Sequence, residues 1–368
     1  MKKNKIIILT IIVLIFVILG LIFICWYSKY KTYNKAETLL QEENYVEAKN
    51  YFNKIKNYKD SNIKILECDY LNANYLYEIQ EYEKAYNIYI LLDNYKDSRD
   101  LALKSNYELA KQYANEEKYS EAYIEFLKLR NYEESEQLNQ KYKRLMIENS
   151  KKGDTIYYGN YEQDGDNSNG TEPIAWLVLE KNNEDILIIS KDILEKMRFG
   201  TSYYWKKSEV REWLNNEFYN NALSEEERKC IQSMITSNET EDKIFCLSAE
   251  EARGLFTSNW YRIAYPTKKL LLNGFKVCAK DLPSGEWWTR SISTAKNGKG
   301  VVPVEGDGNV RSAGTNELAP AEYTYTDIGV RPVMCINISE VQEKAKNMNI
   351  FGFDSNTDLD NEPNLWGY

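Results

Sequence analysis

The stretch NYKDS at residues 57–61 recurs at 94–98, and a related NYEES stands at 131–135, so one pattern returns every 37 residues. A fixed period of this length constrains a chain more than its composition does, because each copy is one supersecondary unit that must stack on its neighbours. The recurrence runs well beyond five residues. Tyr33, Tyr70 and Tyr107 stand in register, as do Ala36, Ala73 and Ala110, then Tyr45, Tyr82 and Tyr119, then Ala48, Ala85 and Ala122. Phe52, Tyr89 and Phe126 follow, and Ile55, Leu92 and Leu129 close each unit. Spacings of three and four place these groups on one helical face. Each unit is therefore expected to be an antiparallel helix pair, with Ala allowing close approach and aromatics filling the groove. NYKDS reads as a stop-and-restart signal. Asn57 and Asn94 are expected to end one helix in the left-handed conformation. Asp60 or Ser61, and Asp97 or Ser98, are expected to accept bonds from the free amides of the next helix.

This pattern resembles the tetratricopeptide repeat, whose usual period is about 34; here each unit is longer. The units span residues 33–148. The resemblance implies a short all-α solenoid that binds peptide segments or spaces domains, and the YKDS joint is similar to a variant common in low-GC Gram-positive bacteria.

Ahead of the repeats, residues 6–26 carry no charge. As a helix they would be about 31 Å long, close to the hydrocarbon thickness of a bilayer. The run ends in bulky Phe23, Ile24, Trp26 and Tyr27 rather than in small residues, which argues for an uncleaved anchor over 6–27 instead of a signal peptide. Trp26 and Tyr27 suit the membrane interface. Lys2, Lys3 and Lys5 precede the run, and Lys29, Lys31 and Lys35 follow it. The amino terminus adds a charge to the short tail 1–5, so the expected arrangement is a single-pass protein of the cell membrane with its C-terminal part extracellular.

After residue 149 the helical period stops. TIYYGNY, IAWLVLE and DILIIS alternate as strands do, each bounded by Asn, Asp or Gly. SEVREWLNNEFYNNAL at 208–223 is an amphipathic helix. Ser224 with Glu227 forms a capping box for the next one, and KIFCLSAEEARGLF reads as a strand running into a capped helix. EWWTRS and DIGVRPVMCINI are late strands. The expected domain is an irregular α+β one over 150–339, followed by an acidic tail, 340–368, poor in aliphatic residues and expected to be disordered.

Taken together, GDTIYYGNYEQD, PIAWLVLE, VREWLNNEFYNNALSEEE, DKIFCLSAEEA, EWWTRS and GVRPVMCINI resemble a bacterial family of unknown function. Its Trp-Trp-x-Arg-Ser and Gly-Val-Arg-Pro phrases are similar to those of the C-type-lectin-like fold shared with formylglycine-generating proteins. The resemblance implies that fold and leaves the activity open. Ile292 stands where the family usually has Pro.

Composition narrows the chemistry. Among 368 residues there is no His, which removes the commonest general base near neutral pH, His-based nucleophile systems and His-containing zinc sites. The net charge of −9 shows no basic footprint for nucleic acid. The six Cys form no CxxC pair and read as buried free thiols in the main, with one or two bridges among Cys230, Cys246, Cys278 and Cys335 as the alternative. Formylglycine-type catalysis needs a reactive cysteine pair, and neither Cys278 nor Cys335 stands in such a motif. DGDNSNGTE at 164–172 is rich in oxygen donors, but Asn169 occupies the place where a calcium loop needs Gly, so it reads as a hairpin loop.

Trp287, Trp288, Arg290, Asp307, Asn309 and Arg331 combine flat aromatics with donors and acceptors, and are the candidate ligand-binding residues. Alternation within EWWTRS turns one Trp inward and the other outward. No catalytic residue, metal ligand or cofactor is assigned. The leading expectation is a binding or sensing protein whose partner is a glycan, a wall fragment or a protein. A carboxylate-dependent enzyme using Glu286, Asp307 or Asp327, and a pure protein–protein scaffold, are the alternatives.

Overall fold

The computed structural model describes residues 2–237, 240–278, 283–295, 298–310 and 328–347. The chain forms two units, Met1–Asn139 and Gln140–Tyr368.

The first unit is helical: α1 (Lys2–Gln41), α2 (Tyr45–Asn53), α3 (Ser61–Glu78), α4 (Tyr82–Leu92), α5 (Ser98–Asn115), α6 (Tyr119–Leu129) and the start of α7 (Ser135–Asn149). Helices begin at Tyr45, Tyr82 and Tyr119 and at Ser61, Ser98 and Ser135, so the period of the sequence is also the period of the structure. The backbone repeats as well. Positive φ occurs at Glu43, Gln80 and Glu117 in the turns inside each pair, and at Lys59, Lys96 and Glu133 in the joints between pairs. The expected packing residues are inside: Ala36, Ala48, Ala73, Ala85, Ala110 and Ala122 are fully buried, with Phe52, Tyr89 and Phe126 beside them.

The joint works differently from its expected form. The left-handed residue is Lys59 or Lys96, not Asn57 or Asn94. Asp60 and Asp97 make no side-chain cap to the helix they precede. Their carboxylates instead accept from Tyr33 and Tyr70, 27 residues upstream. A tyrosine hydroxyl delivered by the first helix of the preceding pair binds the carboxylate in place of a local amide. Ser61 does not cap either; its hydroxyl donates back to the Tyr58 carbonyl at 2.6 Å.

α1 is one helix long and apolar enough to cross a membrane, and its apolar residues from Ile7 to Tyr27 are exposed. Residues 28–32, which the sequence assigns neither to the anchor nor to the repeats, are helical too. The apolar run and the first repeat helix are thus continuous.

The second unit is α+β. Its larger sheet has the order β1 (Thr155–Tyr161), β2 (Glu172–Lys181), β3 (Asp185–Ser190), β12 (Val333–Asn337), β5 (Ile231–Gln232), with β8 (Ile244–Phe245) also on β12. A four-stranded sheet has the order β10 (Gly298–Val304), β9 (Trp287–Ala295), β11 (Ile328–Val330), β4 (Glu195–Met197). β6 (Met234–Ser237) and β7 (Thr240–Asp242) pair separately. The sequence run DIGVRPVMCINI is not one strand: Arg331 and Pro332 divide it, sending β11 to one sheet and β12 to the other.

The amphipathic stretch 208–223 forms α8 (Glu209–Trp213), a π turn over Leu214–Phe218, and α9 (Tyr219–Ala222). Capping boxes open α10 (Glu225–Lys229) and α11 (Ala249–Leu255). The short α12 (Lys268–Leu272) follows, and α13 (Ile338–Asn347) covers the first part of the expected tail; the remainder of that tail lies outside the described residues. All six cysteines are free, and Cys278 in the second unit is exposed where a buried thiol was expected.

Candidate functional site

The late strand β9 is internal, with β10 on one edge and β11 on the other. Both of its faces are covered as well, and this overrides the expected one-in, one-out arrangement: Trp287 and Trp288 are both fully buried. The Trp288 ring meets Phe199 edge-on at 5.3 Å, and its indole N–H donates to the Met197 carbonyl at 2.9 Å. Trp287 donates to the Arg262 carbonyl at 3.1 Å. Neither ring is available to stack on a ligand.

Arg331 is 2 % exposed and lies with its guanidinium 4.9 Å from the Trp287 ring centre. It donates to the Ser190 carbonyl through Nε at 3.0 Å and Nη2 at 2.8 Å, and through Nη1 to the Arg262 carbonyl at 3.3 Å. Burial lowers its pKa to about 10, opposed by the charge of Asp192. The planar fork suits such a cluster of carbonyls, which an ammonium group would not span.

Arg290 is also inward. It donates to the Thr236 carbonyl at 2.8 Å and the Cys246 carbonyl at 2.7 Å, and pairs with both oxygens of Glu251. Burial acts to raise the Glu251 carboxyl, but the hydrogen bonds and charge of Arg290 outweigh it and hold the group below its ordinary range. Arg290 thereby ties β9 to β6, to the end of β8 and to the cap of α11.

Two of these buried groups, Trp287 and Arg331, converge beneath one surface turn. Residues Asn259–Arg262 form a single 3₁₀ turn. Its last carbonyl, that of Arg262, receives Trp287 and Arg331 from below. The buried Arg262 side chain donates to the Gly308 carbonyl at 2.7 Å and the Ala252 carbonyl at 3.2 Å, and also bonds the Asn259 side chain. Asn259 in turn bonds the Asn309 side chain.

The facing turn, 305–309, closes on itself through Glu305 N–H to the Asn309 carbonyl and Gly308 N–H to the Glu305 carbonyl, both at 2.8 Å. Asp307 accepts from the Asn309 amide at 2.9 Å. Gly308 has φ +82°, and a Cβ there would stand 1.9 Å from the Asn259 carbonyl oxygen, so only glycine allows the two turns to meet.

What this foundation presents outward is Trp260, 67 % exposed, and Tyr261, 60 % exposed, on the first turn, with exposed Asp307 and Asn309 on the second. Two of the six candidate residues are therefore at this surface, three (Trp287, Arg331 and, through Glu251, Arg290) are structural, and Trp288 belongs to the core on the opposite face. The two exposed aromatics were missed in the sequence. Their signal is weak: NWYR has no periodicity, and the two adjacent aromatics point outward on a short turn whose Arg262 is pinned inward. Paired aromatics beside a carboxylate and amides can stack on a sugar ring or apolar side chain while the polar groups fix its orientation.

Other chemistry is less supported. The Cys278 thiol is pushed up by burial and then by the charge of Glu286, the opposite of what a nucleophile needs. Burial raises Cys335 to about 11 and Cys246 to about 12. Asp327 lies outside the described residues. Among the described residues, Glu162, Asp164 and Glu172 bring carboxylate oxygens within 4.8 Å of one another. Each also serves its own loop, accepting from the amides of Gly165, Asp166 and Gln163 respectively, all at 2.7 Å, as a β1–β2 hairpin connection does.

Residues 183–338 match the model of a family described as a domain of unknown function, DUF6273. The match contains both surface turns and all the residues that support them, but begins after β1 and β2. No curated protein and no solved structure matches the chain.

Proposed function

We propose that this is a membrane-anchored binding or sensing protein, in which tetratricopeptide-like repeats carry a lectin-like head that recognises a cell-wall glycan. In this reading α1 is the single anchor and the C-terminal part faces outward, into the wall space. The observation that carries it is the exposure of Trp260 and Tyr261 on a turn fixed from beneath by Arg262. An aromatic held at that level of exposure by a buried arginine is not serving the core. Rigid aromatics lose little conformational freedom on binding and dominate recognition surfaces. The raised thiols argue against cysteine catalysis, and the absence of His from the sequence against the commonest acid–base and nucleophile systems.

The test is cosedimentation of the full chain, in detergent, with insoluble peptidoglycan, and with cellulose as a comparison. The expected result is retention on peptidoglycan that falls by about tenfold or more in the Trp260→Ala, Tyr261→Ala double variant. Equal retention of parent and variant, with the head folded by near-UV circular dichroism, would remove this surface from recognition.

A further inference from the structure

The first helix pair has a polarity of charge that recognition by the head does not use. α1 leaves its apolar run at Trp26 and Tyr27 and continues unbroken to Gln41, and α2 returns alongside it. Side-chain contacts fix how far α2 returns. The Phe52 ring lies 5.6 Å from the Tyr33 ring and the Tyr58 ring 5.9 Å from it. The Lys59 ammonium stands 4.2 Å from the centre of Tyr33 and 5.6 Å from that of Tyr30. The end of α2 and the joint that follows it therefore come back to the level of Tyr30–Tyr33. At a rise of about 1.5 Å per residue, that level is about 5–9 Å beyond Tyr27. The headgroup layer on each side of a bilayer is about 5–8 Å thick.

At this end the exposed residues include Lys29 and Lys31 on α1, and Lys54, Lys56 and Lys59 at the close of α2. Asp60, the carboxylate of the joint, is occupied by the Tyr33 hydroxyl at 2.6 Å. The far end of the same pair carries exposed Glu42, Glu43 and Glu47. The pair is thus basic where the apolar helix emerges and acidic where it turns back.

We propose that these lysines form a collar that binds the headgroups of anionic phospholipids in the bilayer that α1 crosses. The proposal rests on the anchor reading of α1. Ammonium groups on long flexible stems, held at headgroup depth by a helix that cannot withdraw, meet an anionic surface at short range. The stacked pair Trp26–Tyr30, with ring centres 5.7 Å apart, sits at the same boundary and sets the depth.

The experiment uses the full chain in phosphatidylcholine vesicles with a minor fraction of phosphatidylglycerol. Spin-labelled versions of the two lipids report the fraction motionally restricted by the protein. The expected result is a preference for phosphatidylglycerol of about threefold or more at low salt, lost in 0.5 M salt to about parity. The same loss is expected in the Lys29→Gln, Lys31→Gln, Lys54→Gln, Lys56→Gln variant. Lys59 is left in place because it rests on Tyr33, and helicity by circular dichroism confirms the fold of the variant. A Glu42→Gln, Glu43→Gln variant, altered at the far end, is expected to keep the preference. Equal restriction of both lipids by the parent chain, or a preference unchanged in the four-lysine variant, would overturn the collar. Alkaline carbonate extraction of the same vesicles separates the two failures: release of the chain removes the anchor and the collar together, whereas retention without lipid preference removes the collar alone.

Discussion

Tyr33 donates its hydroxyl to Asp60 at 2.6 Å, joining the first helix of one pair to the first residue before the next. Tyr70 and Asp97 repeat the bond at 2.8 Å. In the third unit Tyr107 keeps the ring position, packed edge-on against Phe126 and Tyr132, but the residue 27 later is Glu134. The conserved element of NYKDS is thus the acceptor for an upstream tyrosine. The Tyr33→Phe variant should lower protection of the Ser61 amide from hydrogen exchange by about five- to tenfold, the equivalent of about 1 kcal/mol for one net hydrogen bond. Unchanged protection would mean that ring packing alone holds the joint.

Acid should weaken both units. Asp60 is held below its ordinary range, first by the Tyr33 hydrogen bond. Glu251 is held low by Arg290 despite its burial. A group whose folded pKa is depressed stabilises the fold fully above its unfolded value, and that contribution disappears as pH falls through the folded value. Thermal unfolding of the parent should therefore be flat above about pH 5 and fall steeply below about pH 4. The Glu251→Gln variant should start lower and fall less steeply; a parallel decline would assign the acid sensitivity elsewhere.

Replacing Arg331 should be costly even without contact to ligand. Arg331→Met takes the guanidinium donors from the Ser190 carbonyl and leaves the Arg262 carbonyl with Trp287 alone, a loss of about 3 kcal/mol or more. Arg331→Lys should recover little of it, since a single ammonium does not reach both sides. Differential scanning calorimetry of the head transition checks this, and full rescue by Lys would contradict the role of the planar fork.

The Gly308→Ala variant tests the contact between the two surface turns. Its Cβ meets the Asn259 carbonyl oxygen at a distance no packing tolerates, on a backbone of φ +82°. The expected outcome is a loss of about 2 kcal/mol or more in stability together with loss of peptidoglycan retention. Intact retention would show that the 305–309 turn does not shape the surface.

Thiol titration with an aromatic disulfide at pH 8, in a Cys25→Ser background, should detect Cys278 in the native chain and Cys68, Cys230, Cys246 and Cys335 after denaturation. Cys278 should react more slowly than a free thiol and accelerate above pH 9, because burial and Glu286 raise it. Fast reaction at pH 7 would identify an activated thiol and reopen cysteine chemistry.

Local features were legible in the sequence where local physics decides them. The strand DILIIS is β3, and the capping boxes at Ser224–Glu227 and Ser248–Glu251 are formed. The repeat period survives into the backbone because each unit imposes the same turn on the next. What escaped was set by topology. Nothing in EWWTRS tells that β9 has a strand on each side and a covered face on each side, so both tryptophans vanish from the surface. Nothing in NYKDS tells that a tyrosine from the first helix of the preceding pair, rather than a local amide, binds Asp60. Trp260 and Tyr261 gave no periodic signal, and their exposure follows from Arg262, whose inward path depends on residues 252 and 308 and on β9.

In the proposed anchor reading, the unbroken course of α1 makes the membrane span and the first repeat a single mechanical part. Each residue of an α-helix advances it by about 1.5 Å and turns it by about 100°. The compass bearing of the first helix pair around the membrane normal is therefore written into the number of residues between Tyr27 and Tyr33. One residue inserted there would swing the pair by more than a quarter circle while hardly changing its height.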